Sequence, residues 1–128
     1  ALRRVIALGD AWYPIGSNPE FPLNTVERLR AAIDKLRVDA RAAGRDPQSI
    51  AISYWAPWYK EGQAAVTLEN GERQVFTGTD AEVATDIQAF RKLGVGHLLF
   101  SFLRGGLSES LKAMEHFAAK VLPLAQDR

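Results

Sequence analysis

Aromatic residues form two short clusters whose side chains are suited to binding a flat ligand. The chain contains three Trp and three Tyr, and all six lie in residues 12–13 or residues 54–59. Each cluster stands at or just beyond the end of a predicted strand. Aromatic side chains around a pocket mouth suit a flat, partly apolar ligand. We therefore predict a ligand pocket with these members: Trp12, Tyr54, Trp55 and Trp58. The alternative is that they are ordinary core and rim aromatics.

Two loops carry polar groups that could bind a substrate. The loop "IGSNP" offers Ser17 and Asn18 as hydrogen-bonding groups, although an Asn-Pro turn before a helix explains the same residues. The loop "LRGGLSES" offers Arg104 and the free amides of a helix start to an anion, although its Gly pair is also typical of a tight turn. Because the first loop has no Lys, we do not expect it to hold a phosphorylated substrate.

Several other kinds of site have no support in the sequence. The chain has no Cys, which excludes disulfides, thiolate catalysis and Cys-based metal sites. His97 and His116 each lack a second ligand at metal-binding spacing, so no zinc site is predicted. Neither the G-x-S-x-G pattern of hydrolases nor the G-x-G-x-x-G pattern of dinucleotide-binding folds occurs.

The composition is that of one soluble globular domain. The 128 residues are 47% hydrophobic and 24% charged. Sixteen Lys and Arg balance fifteen Asp and Glu to a net charge of +1, so no surface for neutralising nucleic-acid phosphates is expected. No apolar run approaches the roughly 20 residues of a membrane span. We expect no nucleic-acid or membrane partner and a cytoplasmic location.

Two central segments are predicted to be capped amphipathic helices. In the first, Asn24 is the predicted N-cap, and apolar residues recur at steps of three and four until Gly44 ends the helix. In the second, Thr79 and Glu82 have the spacing of a capping box, and Gly94 is the predicted stop. Both helices should bury one apolar stripe.

Two further helices are predicted at the ends of the chain. Residues 1–8 form the first. The last is predicted to begin at a Ser108 cap and to end at Pro123. Its predicted buried stripe has four members: Leu111, Met114, Ala118 and Val121.

Short apolar runs between these helices predict three strands, at Ala11–Ile15, Ile50–Ala56 and His97–Phe102. Helices that alternate with such runs favour parallel strands joined by right-handed crossovers, with the helices outside the sheet. Asn70-Gly71 predicts a two-residue hairpin turn, within an insertion near residues 60–77. The expected fold is therefore one α/β domain with about three parallel strands, outer helices and a small β-hairpin.

Such a sheet is incomplete by itself. Three parallel strands with helices on one side have two unpaired edges and an uncovered apolar face. Burial of a large apolar side chain contributes about 1.5–3 kcal/mol, so about six uncovered side chains forfeit on the order of the whole stability of a small domain, ~5–15 kcal/mol. We therefore expect the sheet to be covered, either by more of the same polypeptide or by a second copy in a homo-oligomer.

Four blocks of the sequence resemble one enzyme family. They are "ALRRVIALGDAWYPIG", "ARAAGRDPQSIAI", "FTGTDAEVATDIQAFRKLGVGHLLFSF" and "LKAMEHFAAKVLP". In order and spacing they resemble the carboxyl-terminal half of the bacterial luciferase-like monooxygenases, especially the branch that uses a deazaflavin. The resemblance spans nearly the whole chain apart from residues 58–75. Family members are eight-stranded βα barrels of the TIM type. The resemblance thus implies a partial (βα) barrel that contains the last three strands.

The resemblance also implies a chemistry. Members of the family are oxidoreductases or monooxygenases that use FMN or the deazaflavin coenzyme F-420 on a small-molecule substrate. By that likeness Gly16, Ser17 and Asn18 would face the substrate.

The chain departs from the family pattern in two places. Asp10-Ala11-Trp12 stands where the family usually has Asp-Gly-aromatic. The Gly-rich turn that receives the cofactor phosphate would lie before Ala1. We therefore expect residues 1–128 alone to bind no flavin and to be inactive, while a longer parent binds it. A non-catalytic, self-associating module that binds a small ligand is the alternative.

Overall fold

The computed structural model describes residues 2–126, which form an α/β unit with one three-stranded sheet. The elements in chain order are α1 (Leu2–Leu8), β1 (Ala11–Trp12), α2 (Val26–Ala42), β2 (Ala51–Ala56), α3 (Asp80–Lys92), β3 (His97–Phe100), α4 (Leu107–His116), a π-helical segment (Phe117–Val121) and α5 (Leu122–Ala125). A single 3₁₀ turn, Pro47–Ser49, precedes β2.

The strands are parallel and lie in the order β1-β2-β3, which confirms the predicted sheet. Ala11 pairs with Ala51, and Ser53 pairs with His97. The first strand is shorter than predicted, because Pro14 has no N–H to donate to the ladder. Pairing resumes in the same register at Ile15, which forms an isolated parallel bridge with Trp55.

The turn at Asn70-Gly71 is present but is one residue longer than predicted. The backbone N–H of Leu68 donates to the carbonyl of Glu72 at 2.8 Å, so Glu69, Asn70 and Gly71 form a three-residue loop. Gly71 has φ +83°, a conformation that Gly adopts without a steric penalty. A single antiparallel bridge, Thr67 to Arg73, holds the hairpin.

The two central helices have the predicted ends, with one correction. Thr79 and Glu82 form a complete capping box at the start of α3. Gly44 and Gly94 follow α2 and α3 with positive φ, as predicted for left-handed C-terminal residues. The assignment of the α2 cap to Asn24 is wrong. Thr25 is the N-cap, and its Oγ1 accepts from the N–H of Arg28 at 3.0 Å.

The prediction for the last helix is wrong in its cap, its end and most of its buried stripe. Gly106, not Ser108, is the N-cap. The helix also continues past Pro123, which is tolerated because it stands in the first turn of α5. The buried residues are Ala113, Phe117, Val121 and Ala125, whereas the other predicted stripe members Leu111, Met114 and Ala118 are exposed.

The π-helical segment explains this change of stripe. In a regular α-helix, residues four apart drift by about 40° around the axis, so a series of four-residue steps soon leaves the buried face. The wider turns of a π-helix compensate for the drift. Phe117 and Val121 both lie in the π-helical segment and are both buried. The segment thus keeps buried residues that are four positions apart on one face of the helix.

The core lies between one face of the sheet and the helices. Tyr54, Phe76, Phe90 and Phe100 form its aromatic centre, with ring centroids 4.8 Å apart for Tyr54 and Phe90 and 5.0 Å apart for Phe76 and Phe100. Along β2, Ile52, Tyr54 and Ala56 are buried, while Trp55 is 39% exposed on the opposite face. In the described chain, no helix combines the length and apolar character needed to cross a membrane.

Candidate functional site

The face of the sheet that points away from the helices is open at the carboxyl ends of the strands. Trp55 lies at its centre and is flanked in register by Ile15 on β1's extension and by Leu99 on β3. Leu99 is half-buried, and Trp55 is exposed. These three side chains are apolar, while Ser53 and the exposed His97, which pair two residues earlier on the same face, are polar. We call it the open face.

Three of the predicted site residues pack together on the other side of the sheet. Tyr54 is fully buried, and its hydroxyl donates to the carbonyl of Leu23 at 2.6 Å. The indole Nε1 of Trp58 donates to the carbonyl of Val75 at 2.9 Å, and its ring meets Tyr54 edge to face at 6.4 Å. Gly16 closes this cluster, since a Cβ at that position would lie 2.6 Å from the Trp58 ring.

The cluster of Gly16, Tyr54 and Trp58 ties the segments after β1 and β2 to each other. Burial, with a smaller contribution from Asp86, raises the pKa of Tyr54, so its hydroxyl stays protonated and remains a donor. The hydrogen bonds of Tyr54 and Trp58 go to backbone carbonyls of this chain. These bonds hold the backbone of the segments that follow β1 and β2.

The loop after β1 is exposed and folds as a turn. The side-chain oxygen of Asn18 accepts from the N–H of Glu20 at 3.0 Å, which is the local bond typical of Asx-turns. Ser17 is exposed beside it. Both side chains are accessible to a ligand, and Asn18 also performs the turn function that the alternative interpretation assigned to it.

A large apolar groove runs along the edge of β1. Its volume is about 1560 Å³. The lining residues that give it its apolar character include Val5, Ile6, Trp12, Phe21, Leu23 and Ala32. Of the predicted site residues, Trp12 and Asn18 line this groove. The edge of β1 is therefore the second apolar surface of the sheet, after the open face.

Arg104 is held by a carboxylate of the same chain. Its guanidinium forms an ion pair with Glu61 at 2.7 Å and also donates to the carbonyls of Ser101 and Leu103. The hydrogen bond from Arg104 lowers the pKa of Glu61 to about 2, so the pair is charged at neutral pH. This pair fastens the loop after β3 to the segment after β2. An anion at Arg104 would compete with Glu61.

A group of aromatic residues that was not predicted as part of a site surrounds this ion pair. Tyr59 is buried among the rings of Phe100, Phe102 and Phe117. Its hydroxyl has no hydrogen-bond partner among the described residues, and burial, followed by the charges of Asp80 and Glu61, raises its pKa to about 12. The sequence signals were the place of Tyr59 in the aromatic cluster of residues 54–59 and the position of Glu61 shortly after a strand.

A partly buried ion pair anchors the segment between β2 and α3, and no sequence motif indicated it. Asp86 on α3 accepts two bonds from Arg73, at 2.6 and 2.9 Å, and a third from the N–H of Phe76 at 2.8 Å. Phe76 has φ +60°, which is uncommon for a residue with a side chain. Three bonds to one carboxylate hold this backbone conformation in place.

The predicted site residues thus occupy several places. Trp55 lies on the open face, Trp12 and Asn18 line the groove, and Arg104 closes a loop. Within the described residues, no three His, Asp or Glu side chains come together as a metal site. No protein-family model and no curated protein matches the chain. The likeness to luciferase-like enzymes therefore rests on the four sequence blocks.

Proposed function

We propose that this chain supplies the last three βα units of a flavin- or deazaflavin-dependent oxidoreductase of the luciferase-like family. In this proposal the open face is part of the interior of a (βα) barrel, and its carboxyl end borders the cofactor and the small-molecule substrate. More of the same polypeptide supplies the remaining strands, as the resemblance implies.

One observation carries the proposal: helices cover a single face of a parallel sheet whose strands follow chain order. The inner surface of a βα barrel has this arrangement, with active-site residues at the carboxyl ends of the strands. The apolar residues of the open face, with Trp55 at the centre, need such a cover. A second copy of the chain would be an alternative cover.

The described residues fit the ring system of a flavin better than its phosphate. Trp55, Ile15 and Leu99 suit a flat, uncharged ring system. They are less suited to binding the phosphate, because Arg104 already forms an ion pair with Glu61. We therefore assign the phosphate to residues other than 1–128 and the ring or substrate to the open face. When bound, the cofactor supplies the hydride or oxygen chemistry.

The residues of this chain then have a binding and positioning role. Trp55 provides apolar contact area and excludes water from one side of the ligand. The cluster of Gly16, Tyr54 and Trp58 holds the loop that presents Ser17 and Asn18. The pair of Arg104 and Glu61 fixes the loop after β3. None of these groups is proposed as a catalytic acid or base.

Substitution of Trp55 tests the role of the open face. In the protein encoded by the complete reading frame, Trp55→Ala should weaken binding of FMN or F-420 at least ~10-fold, because the truncation removes aromatic contact area. Phe21→Ala is the matched control, since Phe21 is an exposed aromatic at the groove and not on the open face. Equal affinities of both variants and the unaltered protein would contradict this role.

The groove supports a second candidate function, a non-catalytic module that binds an apolar ligand. Its size and its wall of Trp12, Phe21 and Leu23 are suited to a hydrophobic small molecule. An environment-sensitive naphthalene sulfonate dye is a suitable probe. Saturable 1:1 binding that Phe21→Ala weakens and Trp55→Ala does not would favour this function over the oxidoreductase.

A further inference from the structure

Four charged side chains meet where α3 begins and α4 ends. Asp80 is the first residue of α3 and His116 is the last residue of α4, and the Nε2 atom of His116 lies 2.9 Å from Oδ1 of Asp80. The pair of Glu61 and Arg104 lies nearby. The hydrogen bond from Arg104 lowers the pKa of Glu61 most, and the charge of His116 lowers it further. We call Glu61, Asp80, Arg104 and His116 the charge cluster.

The charge cluster borders a buried hydroxyl. Tyr59 is 3% exposed, and its hydroxyl has no hydrogen-bond partner among the described residues. After burial, the charges of Asp80 and then Glu61 contribute most to raising the pKa of Tyr59, and Arg104 donates to its carbonyl. A buried hydroxyl without a partner is unfavourable, and it gains a hydrogen bond when water reaches it. Opening of the charge cluster therefore relieves part of its own cost.

Helix α4 is held by few other contacts. Ala113 is the one buried residue between Leu107 and His116. Helix α3 packs along the π-helical segment and α5, which follow α4 in the chain. At its start, α4 is tied to its own loop, because the hydroxyl of Ser110 accepts from the N–H of Arg104 at 2.9 Å. The contact of His116 with Asp80 thus joins a weakly packed helix to α3.

The protonation of His116 sets the balance of the charge cluster. Histidine is the side chain whose ordinary charge change falls between about pH 5 and pH 8. With His116 protonated, two positive groups face two carboxylates, and with His116 neutral one negative charge is in excess. The charged residues of the same helical run, Lys112, Glu115 and Lys120, are exposed and therefore screened by solvent and salt. The contact with Asp80 is strongest from about pH 4 to pH 6.5 and weakens above that range.

We propose that His116 and Asp80 form a pH-sensitive latch. At mildly acid pH the latch holds α4 and the loop after β3 closed beside Tyr59, and as the pH rises these segments open more often. The π-helical segment Phe117–Val121 directly follows His116 and departs from regular α-helical geometry, so it is the hinge. Both latch residues are partly exposed, so charging His116 changes the open population about 2- to 5-fold.

Amide hydrogen exchange followed by NMR measures this opening residue by residue. Exchange rates are expressed as protection factors, which removes the effect of pH on chemical exchange itself. Between about pH 5.5 and pH 7.5, the amides of residues 110–116 in α4 should lose about 2- to 5-fold of their protection. The amides of residues 84–92 in α3 should keep theirs, because the core that buries α3 contains no member of the charge cluster.

The two histidines of the chain provide a matched pair of variants. His116→Gln keeps a hydrogen-bonding side chain without the titration, so the protection of α4 should no longer depend on pH in this range. His97→Gln is the control, since His97 is exposed on β3, and it should keep the full pH dependence. Asp80→Asn removes the charge that His116 faces and should abolish the dependence as well.

The remaining outcomes overturn the proposal. Protection of α4 that is the same at both ends of the pH range means that there is no latch. PH dependence that persists in His116→Gln, or that His97→Gln removes, assigns the titration to another group. Dependence that is unchanged in Asp80→Asn excludes Asp80 as the partner. An equal loss of protection in α3 and α4 indicates general destabilisation and not a local opening.

Discussion

Asp86 shows how one carboxylate can hold a long segment. Burial raises its pKa, while the bonds from Arg73 and from the Phe76 amide oppose that shift. Arg73 also contacts Glu82 at 3.2 Å and the carbonyl of Thr77 at 2.7 Å. The carboxylate therefore joins α3 to the backbone near Phe76. Asp86 bonds to residues 10 and 13 positions earlier in the chain, outside its own helix, so the local rules for helices and turns could not predict this interaction.

Replacement of Asp86 should be strongly destabilising. Asp86→Asn removes the charge of a buried carboxylate that accepts from Arg73 and from the Phe76 N–H, and loss of such charge-assisted hydrogen bonds costs about 1.5–3 kcal/mol, although Arg73 keeps its contact with Glu82. Asp39→Asn breaks the exposed pair with Lys35 and should cost less than about 1 kcal/mol. Urea unfolding of both variants measures the difference. Equal losses would show that the Asp86 network does not anchor the segment.

The pair of Glu61 and Arg104 should make stability depend on pH in the acid range. The folded-state pKa of Glu61, about 2, lies below its ordinary value of 4.5. Its stabilising contribution is therefore complete above pH 4.5 and is lost as pH falls through the folded pKa. The difference in unfolding free energy between the unaltered chain and Glu61→Gln should shrink over that interval. A difference that is constant from about pH 6 to pH 3 would contradict the assignment.

At the scale of elements, periodicity and caps predicted the central part of the chain well. The three parallel strands, the helices α2 and α3, and the stops at Gly44 and Gly94 follow from local signals. The buried stripe of the last helix was not predicted correctly, because it depends on a π-helical segment that no local sequence signal marks. The candidate site was predicted less completely. Residue type located Trp55 at a strand end, but burial of Tyr54 and pairing of Arg104 depend on the tertiary structure.

Helix caps provide a direct comparison between a correct prediction and a wrong one. Thr79→Ala removes the side chain that accepts from the N–H of Glu82 at 3.1 Å and should cost about 0.5–2 kcal/mol. Ser108→Ala lies inside α4, where the cap is Gly106, and should change stability by less than about 0.5 kcal/mol. Urea unfolding distinguishes the two. A larger loss for Ser108→Ala than for Thr79→Ala would restore Ser108 as the cap.

At the scale of the molecule, apolar side chains remain exposed on several surfaces of the described chain. The open face exposes Trp55, the groove lies along the edge of β1, and α4 exposes Leu107, Leu111 and Met114. We assign the open face to contacts with the rest of a barrel, because it lies on the sheet.

Flavin binding tests the central claim most directly. FMN and F-420 are titrated into residues 1–128 and into the product of the complete reading frame, and flavin fluorescence is followed. Charge-assisted phosphate contacts contribute about 1.5–3 kcal/mol each, so a chain without two of them should bind at least ~100-fold more weakly. We predict micromolar or tighter binding by the complete product and no binding at that level by residues 1–128. A reading frame without further βα units, a complete product that binds neither flavin, or micromolar binding by residues 1–128 would contradict the account.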